Sequence, residues 1–253
     1  MSDKRIAIVT GAGQGIGRET SVVLARAGFT VVCVDMNGAA AQETATLVNG
    51  IAAPAMDVRD EAAVAALVAG LERCDVLVSN AGIWKFTSLL ETPVSEANDV
   101  LSVNVVAPLI WIKAVAPLMA KNGGGSIVHL TSIAARAVAS GTGIYPASKA
   151  GVIALTEQAA LELGPMGIRV NAVGPGRIET EGTAGRTGGN EDSLIGASAI
   201  ALGRWGRAND IAEAIGFLCS PQSSYITGQV IWVDGGLTIG TNDYLRHMRT
   251  SKK

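Results

Sequence analysis

A short strand that runs through a glycine turn straight into a helix leaves a chain few folds to choose from, and residues 6–26 have that order. Ile6-Ala7-Ile8-Val9 is an apolar, partly β-branched run of the kind a strand buried on both faces uses. Thr10-Gly11-Ala12-Gly13-Gln14-Gly15-Ile16-Gly17 follows, and a helix is expected from there to about Arg26, closed by Gly28. The free N–H groups and positive dipole end of a helix N-terminus make an anion site, and glycines let a pyrophosphate come up against the backbone. The spacing here is G-x-x-x-G-x-G, at Gly11, Gly15 and Gly17, not the usual dinucleotide spacing G-x-G-x-x-G. Alone, it reads equally well as a tight turn.

The same alternation continues along the chain. Strands are expected at Thr30–Val34, at Ala55–Val58 after Pro54, at Asp75–Val78, Ser126–Ser132, Ile168–Val173 and Gln229–Val233. Helices are expected at Ala39–Leu47, from a cap at Arg59 or Asp60, over Ser95–Lys121, from Tyr145 to about Gly164, and over Ile211–Leu218. Pro108 predicts a kink in the long Ser95–Lys121 stretch, with Asn104 on the turn before it. No linker interrupts the pattern. The expectation is therefore one α/β domain over 1–253, a doubly wound Rossmann-type fold with a seven-stranded, mostly parallel sheet flanked by helices.

Composition narrows the function classes. With 48% hydrophobic and 17% charged residues the chain buries a core and is not disordered. A net charge of −2 gives no electrostatic reason for a nucleic-acid or membrane partner. No run of about 18 apolar residues is present, so no membrane span is expected. Lys4 and Arg5 lead into an apolar run of only four residues, which is no secretory signal pattern. Cys33, Cys74 and Cys219 are odd in number and widely spaced, which predicts a reducing, cytoplasmic setting. The two histidines, His129 and His247, have no cysteine or carboxylate cluster beside them, so no metal site is predicted, and His129 is read as structural.

The chemistry centres on Tyr145-Pro146-Ala147-Ser148-Lys149. Four residues apart at the head of a helix, the tyrosine and lysine share a face. An ammonium nearby favours the phenolate and predicts a lowered tyrosine pKa, which fits it to exchange a proton with an alcohol or a carbonyl. Ser132, thirteen positions upstream at a strand's carboxyl end, offers a hydroxyl to orient a substrate oxygen. Asp35 ends the second strand, 18 residues past Gly17, where a carboxylate binds both ribose hydroxyls and repels a 2′-phosphate. The reading is NAD rather than NADP, with a helix cap as the alternative role for Asp35; Gln14, where a basic side chain would suit a phosphate, agrees. Asp57 is placed to accept from an adenine amino group or is an ordinary loop aspartate. Ser79-Asn80-Ala81-Gly82 lets a flat ligand lie on the backbone. Asn104 is either a surface polar residue or a polar bridge into the site. The polar, glycine-rich stretch Arg177–Ala197 is a binding loop (around 177–200) or disorder. The basic tail from Asn242 is a solvated end or an arm to a neighbouring subunit.

In order and at these spacings, the residues resemble the short-chain dehydrogenase/reductase family over essentially the whole chain. The matching stretches are Thr10 to Gly17, Asp57, Asn80-Ala81-Gly82, Asn104, Ser132, Tyr145-x-x-x-Lys149 and Pro175-Gly176; Ser79 departs, where the family often has a second asparagine. The resemblance implies that Tyr145 is the general acid/base, and that Lys149 binds the nicotinamide ribose and lowers the tyrosine pKa. It implies that Ser132 holds the substrate oxygen and that Asn104 keeps a water in a proton relay. Gly11, Gln14, Gly15, Ile16, Gly17, Asp35, Asp57, Val58, Asn80, Ala81, Gly82, Pro175, Gly176, Ile178 and Thr180 would line the cofactor, the last two at the nicotinamide carboxamide. The implied reaction is hydride transfer between NAD(H) and a small-molecule secondary alcohol or ketone, in a homotetramer. Two alternatives stand beside it. One is an NADPH-dependent 3-oxoacyl-[acyl-carrier-protein] reductase, for which Lys121 and Arg169 are the candidate basic docking patch. The other is a non-catalytic dinucleotide sensor. Trp84 and Ile83 are expected at the substrate pocket, Trp84 as an apolar wall or as core.

Overall fold

The computed structural model describes residues 5–183, 197 and 199–239. Its elements run β1 (Ile6–Thr10), α1 (Gly15–Arg26), β2 (Thr30–Val34), α2 (Gly38–Leu47), β3 (Ile51–Ala52), α3 (Glu61–Ala69) and β4 (Val76–Ser79). Then come α4 (Val94–Leu101), α5 (Ala107–Lys121), β5 (Gly125–Leu130), α6 (Tyr145–Leu163), β6 (Ile168–Pro175), β7 (Ile178–Glu179), β8 (Gly206–Arg207), α7 (Ala208–Cys219) and β9 (Val230–Val233). Seven strands form one sheet in the order β3-β2-β1-β4-β5-β6-β9, and β7 pairs with β8 apart from it. Every neighbouring pair in the large sheet is parallel. The chain winds outward from β1 to β3, then returns to lay β4 on the other side of β1. The carboxyl ends of β1 and β4 therefore flank the switch point, where open α/β sheets leave a crevice.

Strand alternation sends neighbouring residues to opposite faces, and both faces are buried, which is why the strands are apolar runs. Ile8, Leu77, Ile127 and Val170 pack on one side with Val64 of α3, Trp111 and Val115 of α5, and Ala159 of α6. Val9, Val78, Val128 and Val173 pack on the other with Leu24 of α1, Ala41 of α2, and Ile211 and Ile215 of α7.

Three expectations meet corrections. The third strand is Ile51–Ala52, not Ala55–Val58. Ala53 N–H still donates to the Cys33 carbonyl, but Pro54 has no N–H and the ladder stops there. The long helix is not simply kinked: Ser102–Val106 form a π-helical turn between α4 and α5. Pro108 is the cause, because its missing N–H is the one that would have bonded the carbonyl of Asn104. The turn leaves Asn104 buried. Third, Val94–Lys121 is long and apolar enough to span a bilayer, with mean hydropathy 1.7, yet it packs here as a core helix with Trp111 and Met119 fully covered. Of the two candidate caps before α3, Asp60 is the one used, accepting from the Ala63 N–H. The three cysteines are free and buried. The tail from Asn242 lies outside the described residues.

The outer strand β9 depends on a polar clip. Asn171, fully buried in β6, donates to the Ile226 carbonyl at 2.9 Å and accepts from the Gln229 N–H at 3.0 Å. Asn171→Leu orphans both groups, so stability should fall by about 1–3 kcal/mol. The measurement is a urea midpoint lowered at unchanged m-value; an unmoved midpoint would show the clip to be dispensable.

Candidate active site

The glycine turn after β1 is as close-packed as its sequence implied. A Cβ on Gly17 would stand 2.0 Å from the Gly11 carbonyl oxygen, so α1 can start here only with glycine. Gly15 has φ +54°, and its N–H donates to a carboxylate oxygen of Glu181 at 3.1 Å. Gln14 is the exposed N-cap residue of α1 and makes no side-chain cap bond, and Ile16 packs on the second core. Thr180 also reaches this turn: a Cβ on Gly15 would lie 3.3 Å from the Thr180 methyl. A cleft of about 530 Å³ runs along it, lined by Gly15, Arg18, Thr180 and Glu181 among others.

Asp35 sits where β2 ends. One carboxylate oxygen accepts from the Gly13 N–H at 2.9 Å and the other from the Asn37 N–H at 2.9 Å. The cap of α2 is Asn37, so capping is not what Asp35 does. Arg18, a cation at the same turn, is held by the Gly13 carbonyl at 2.6 Å and by Thr44 and Glu43.

Thr10 and Asn80 clasp the two strands at the switch point. The Thr10 hydroxyl accepts from the N–H groups of Asn80 and Ala81, and the Asn80 amide donates to the carbonyls of Thr10 and Gly11. Asn80 therefore works through the glycine turn rather than pointing freely at a ligand, and Thr10 is a partner the sequence reading did not single out. Asp57 is likewise engaged: Arg59 bonds both its oxygens and reaches Asp99 at 2.6 Å. That pairing holds the Asp57 carboxyl below the usual range. The Val58 carbonyl accepts from the Trp111 indole. Pro175 closes β6 against Val233, the Gly176 N–H bonds the Val233 carbonyl, and Ile178 is buried in β7.

The proton-handling residues meet at the carboxyl ends of β4 and β5. Asn104 accepts from the Ile83 N–H and donates to the Ile83 carbonyl, both at 2.9 Å, and donates to the Ser148 hydroxyl at 3.0 Å. Of its two readings, the polar bridge holds. Gly82 leaves the room: a Cβ there would lie 3.1 Å from Asn104 Oδ1 and 3.3 Å from Lys149 Nζ. Lys149 is buried, donates to the Leu130 carbonyl at 2.9 Å, and lies 5.8 Å from the centre of the Tyr145 ring. Ser132 caps a short 3₁₀ turn by accepting from the Ala134 N–H, and its hydroxyl neighbours that of Tyr145.

Electrostatics correct one expectation. Burial pushes the Tyr145 hydroxyl up rather than down, with the Ser132 hydrogen bond opposing. Burial also pushes Lys149 down to about 8. Removing both groups from water penalises each charged form. His129 is buried, pairs through Nδ1 with Thr156, and is pushed down to about 4, a neutral core residue as expected. Arg169 is no docking residue: partly buried, it bonds the Leu218 and Ser220 carbonyls behind α7. The loop from residue 184 to 196 lies outside the described residues.

A crevice at the switch point, a glycine cradle over a helix N-terminus, and a Ser–Tyr–Lys cluster beside them define a dinucleotide-dependent enzyme of the α/β class. Comparison with known proteins agrees. Residues 11–238 match the family model described as enoyl-(acyl carrier protein) reductase. The chain is 37% identical over 243 residues to the 3-oxoacyl-[acyl-carrier-protein] reductase FabG of Thermotoga maritima, covering 93% of this chain and 98% of that protein. It is 39% identical over 249 residues to human (3R)-3-hydroxyacyl-CoA dehydrogenase, covering 92% and 95%. A short-chain type dehydrogenase/reductase from Mycobacterium ulcerans superposes with a TM-score of 0.89 at 31% identity, over 94% of this chain and 92% of that one. The protein belongs to the short-chain dehydrogenase/reductase family and is an oxidoreductase acting on CH–OH or carbonyl groups.

The cradle fits a nicotinamide dinucleotide, since Glu181 already places an anionic oxygen on the Gly15 N–H, where a phosphate oxygen of the cofactor would compete. Glu181→Ala removes that competitor and should lower the Kd for NADH by about two- to fivefold. Fluorescence titration measures it, and a weakened Kd would mean that Glu181 supports the bound state instead.

Proposed function

We propose that the chain, as one dinucleotide-binding domain, is an NAD(H)-dependent dehydrogenase that interconverts a small secondary alcohol and its ketone. Ser132 and Tyr145 side by side, one helical turn from buried Lys149, carry the reading. When bound, the nicotinamide supplies the hydride acceptor or donor. In oxidation Tyr145 takes the alcohol proton while the hydride leaves the carbinol carbon with both bonding electrons; reduction is the reverse. Ser132 orients the substrate oxygen. Lys149 and Asn104 hold the polar path behind Tyr145, and Pro175, Gly176, Ile178 and Thr180 meet the nicotinamide end. Asp35 supports NAD, because a carboxylate fixed at the glycine turn repels a 2′-phosphate and Arg18 is already engaged. Buried free thiols suit a cytoplasmic setting. Exposed Leu109 on α5 and Leu161 on α6 suit a homotetramer with helix faces covered.

A second reading, reduction of 3-oxoacyl thioesters with NADPH, follows the printed activity of the Thermotoga relative. The chemistry at Tyr145 would be unchanged. Asp35 opposes the cofactor, and Arg169 is unavailable as a carrier contact.

The deciding experiment is a nicotinamide absorbance assay with NAD(H) and NADP(H) on secondary alcohols, polyols, ketones and acyl thioesters, with Tyr145→Phe as the blank. Turnover is expected with NAD and alcohols, and Asp35→Ala should shrink the NAD/NADP ratio of kcat/KM by about tenfold or more. An unchanged ratio would remove Asp35 from cofactor choice. Turnover of acyl thioesters alone, with NADPH, establishes the second reading.

The buried pair also sets a pH profile. Lys149, depressed to about 8, loses its proton before the raised Tyr145 does, and a neutral Lys149 can take the Tyr145 proton through the polar path behind it as Tyr145 takes the alcohol proton. Oxidation kcat/KM should therefore rise with pH through a midpoint near 8. In Lys149→Met the residual activity should titrate higher, because Tyr145 then deprotonates alone in its buried setting. The same midpoint in the variant would detach Lys149 from the titration.

A further inference from the structure

Residues 84–87 run beside the site without regular secondary structure. Lys85 and Thr87 share one side, and both reach the mostly buried Glu96 of α4: the Thr87 hydroxyl donates at 2.7 Å and the Lys85 ammonium stands at 3.8 Å. The Phe86 ring meets the Tyr145 ring edge-on, centroids 6.4 Å apart at 86°. Trp84 leans on the turn after β7, where a Cβ on Gly182 would stand 3.3 Å from its indole. Both rings nevertheless stay half-exposed, at 43% and 46%. From the far side Gly143, in the loop leading to α6, closes on the segment: a Cβ there would lie 3.1 Å from Thr92 Oγ1 and 3.3 Å from the Thr87 carbonyl.

Two half-exposed aromatic rings, one edge-on to Tyr145 and the other against the turn after β7, on a segment tied to Glu96 between them, are what an apolar substrate group would cover. They offer a polyol chain almost nothing to hydrogen-bond. We infer that Trp84 and Phe86 are the specificity wall of this site, and that the substrate is a secondary alcohol or ketone with an aromatic or alicyclic ring next to the carbinol carbon. The inference rests on the oxidoreductase reading above. Glu96 is a positioning residue that sets the wall through Lys85 and Thr87.

The test compares kcat/KM of the full chain with NAD for 1-phenylethanol and 1-indanol against D-glucitol and D-arabinitol. Ring-bearing alcohols should be preferred by about tenfold or more. Phe86→Ala and Trp84→Ala should each cut that preference about fivefold or more, chiefly through KM of the ring-bearing alcohol. The ratio cancels any general disturbance of Tyr145, and should one variant fail to fold the other reads the same quantity. Glu96→Ala should reduce the ratio, and Glu96→Gln, which still accepts from Thr87, should largely restore it. Polyols turned over as well as or better than ring-bearing alcohols, or a ratio unmoved in both wall variants, overturns the wall while the oxidoreductase reading stands. No Tyr145-dependent turnover of any alcohol or ketone, with NADH still bound, overturns both.

Discussion

Four hydrogen bonds, three to Thr10 and one to Gly11 from the Asn80-Ala81 stretch, hold the carboxyl ends of β1 and β4 together, and the site is arranged around that clasp. One hydroxyl and one amide bind backbone groups that a strand end would otherwise leave open at the switch point. The clasp sets the path of the glycine turn, because the Asn80 amide bonds the Gly11 carbonyl, the atom that also forbids any side chain at Gly17. It also sets where the chain leaves β4, and so where Gly82, Ile83 and the Trp84–Thr87 segment begin.

From there a second polar thread runs inward. Asn104 ties the Ile83 backbone to Ser148, and Ser148 donates to the Tyr145 carbonyl in the first turn of α6. The thread exists because Pro108 breaks the helical ladder and a π-turn presents Asn104 to the interior. One proline thus links a helix defect to the placement of Tyr145, through four residues on three elements. Thr131 adds a further tie by donating to the Lys149 carbonyl.

Burial gives this cluster its chemistry. An ammonium held by a single carbonyl and a phenol next to a serine hydroxyl are both poorly solvated, so the charged form of each is disfavoured. The same dryness keeps His129 neutral, so it does not compete with Tyr145 for acid–base work.

Local pattern settled a good deal of this protein. Apolar runs and glycine punctuation marked the strands, their parallel order and the cradle, because those signals act within one turn or one strand. The Tyr145–Lys149 spacing placed both side chains on one helix face for the same reason. The third strand falls at Ile51–Ala52 because its ladder partner, Cys33, lies well upstream in β2, and Pro54 ends the ladder. What only the tertiary structure decided involves partners distant in sequence: Asp99 held by the Arg59 that also binds Asp57, Arg169 spent on the end of α7, Glu181 seated at Gly15, and the upward shift of Tyr145. The direction of that shift is the plainest case. Spacing brings the cation near, but the balance between its attraction and the loss of water depends on how deeply β5, α6 and the π-turn bury the pair, and burial is a property of the whole packed sheet.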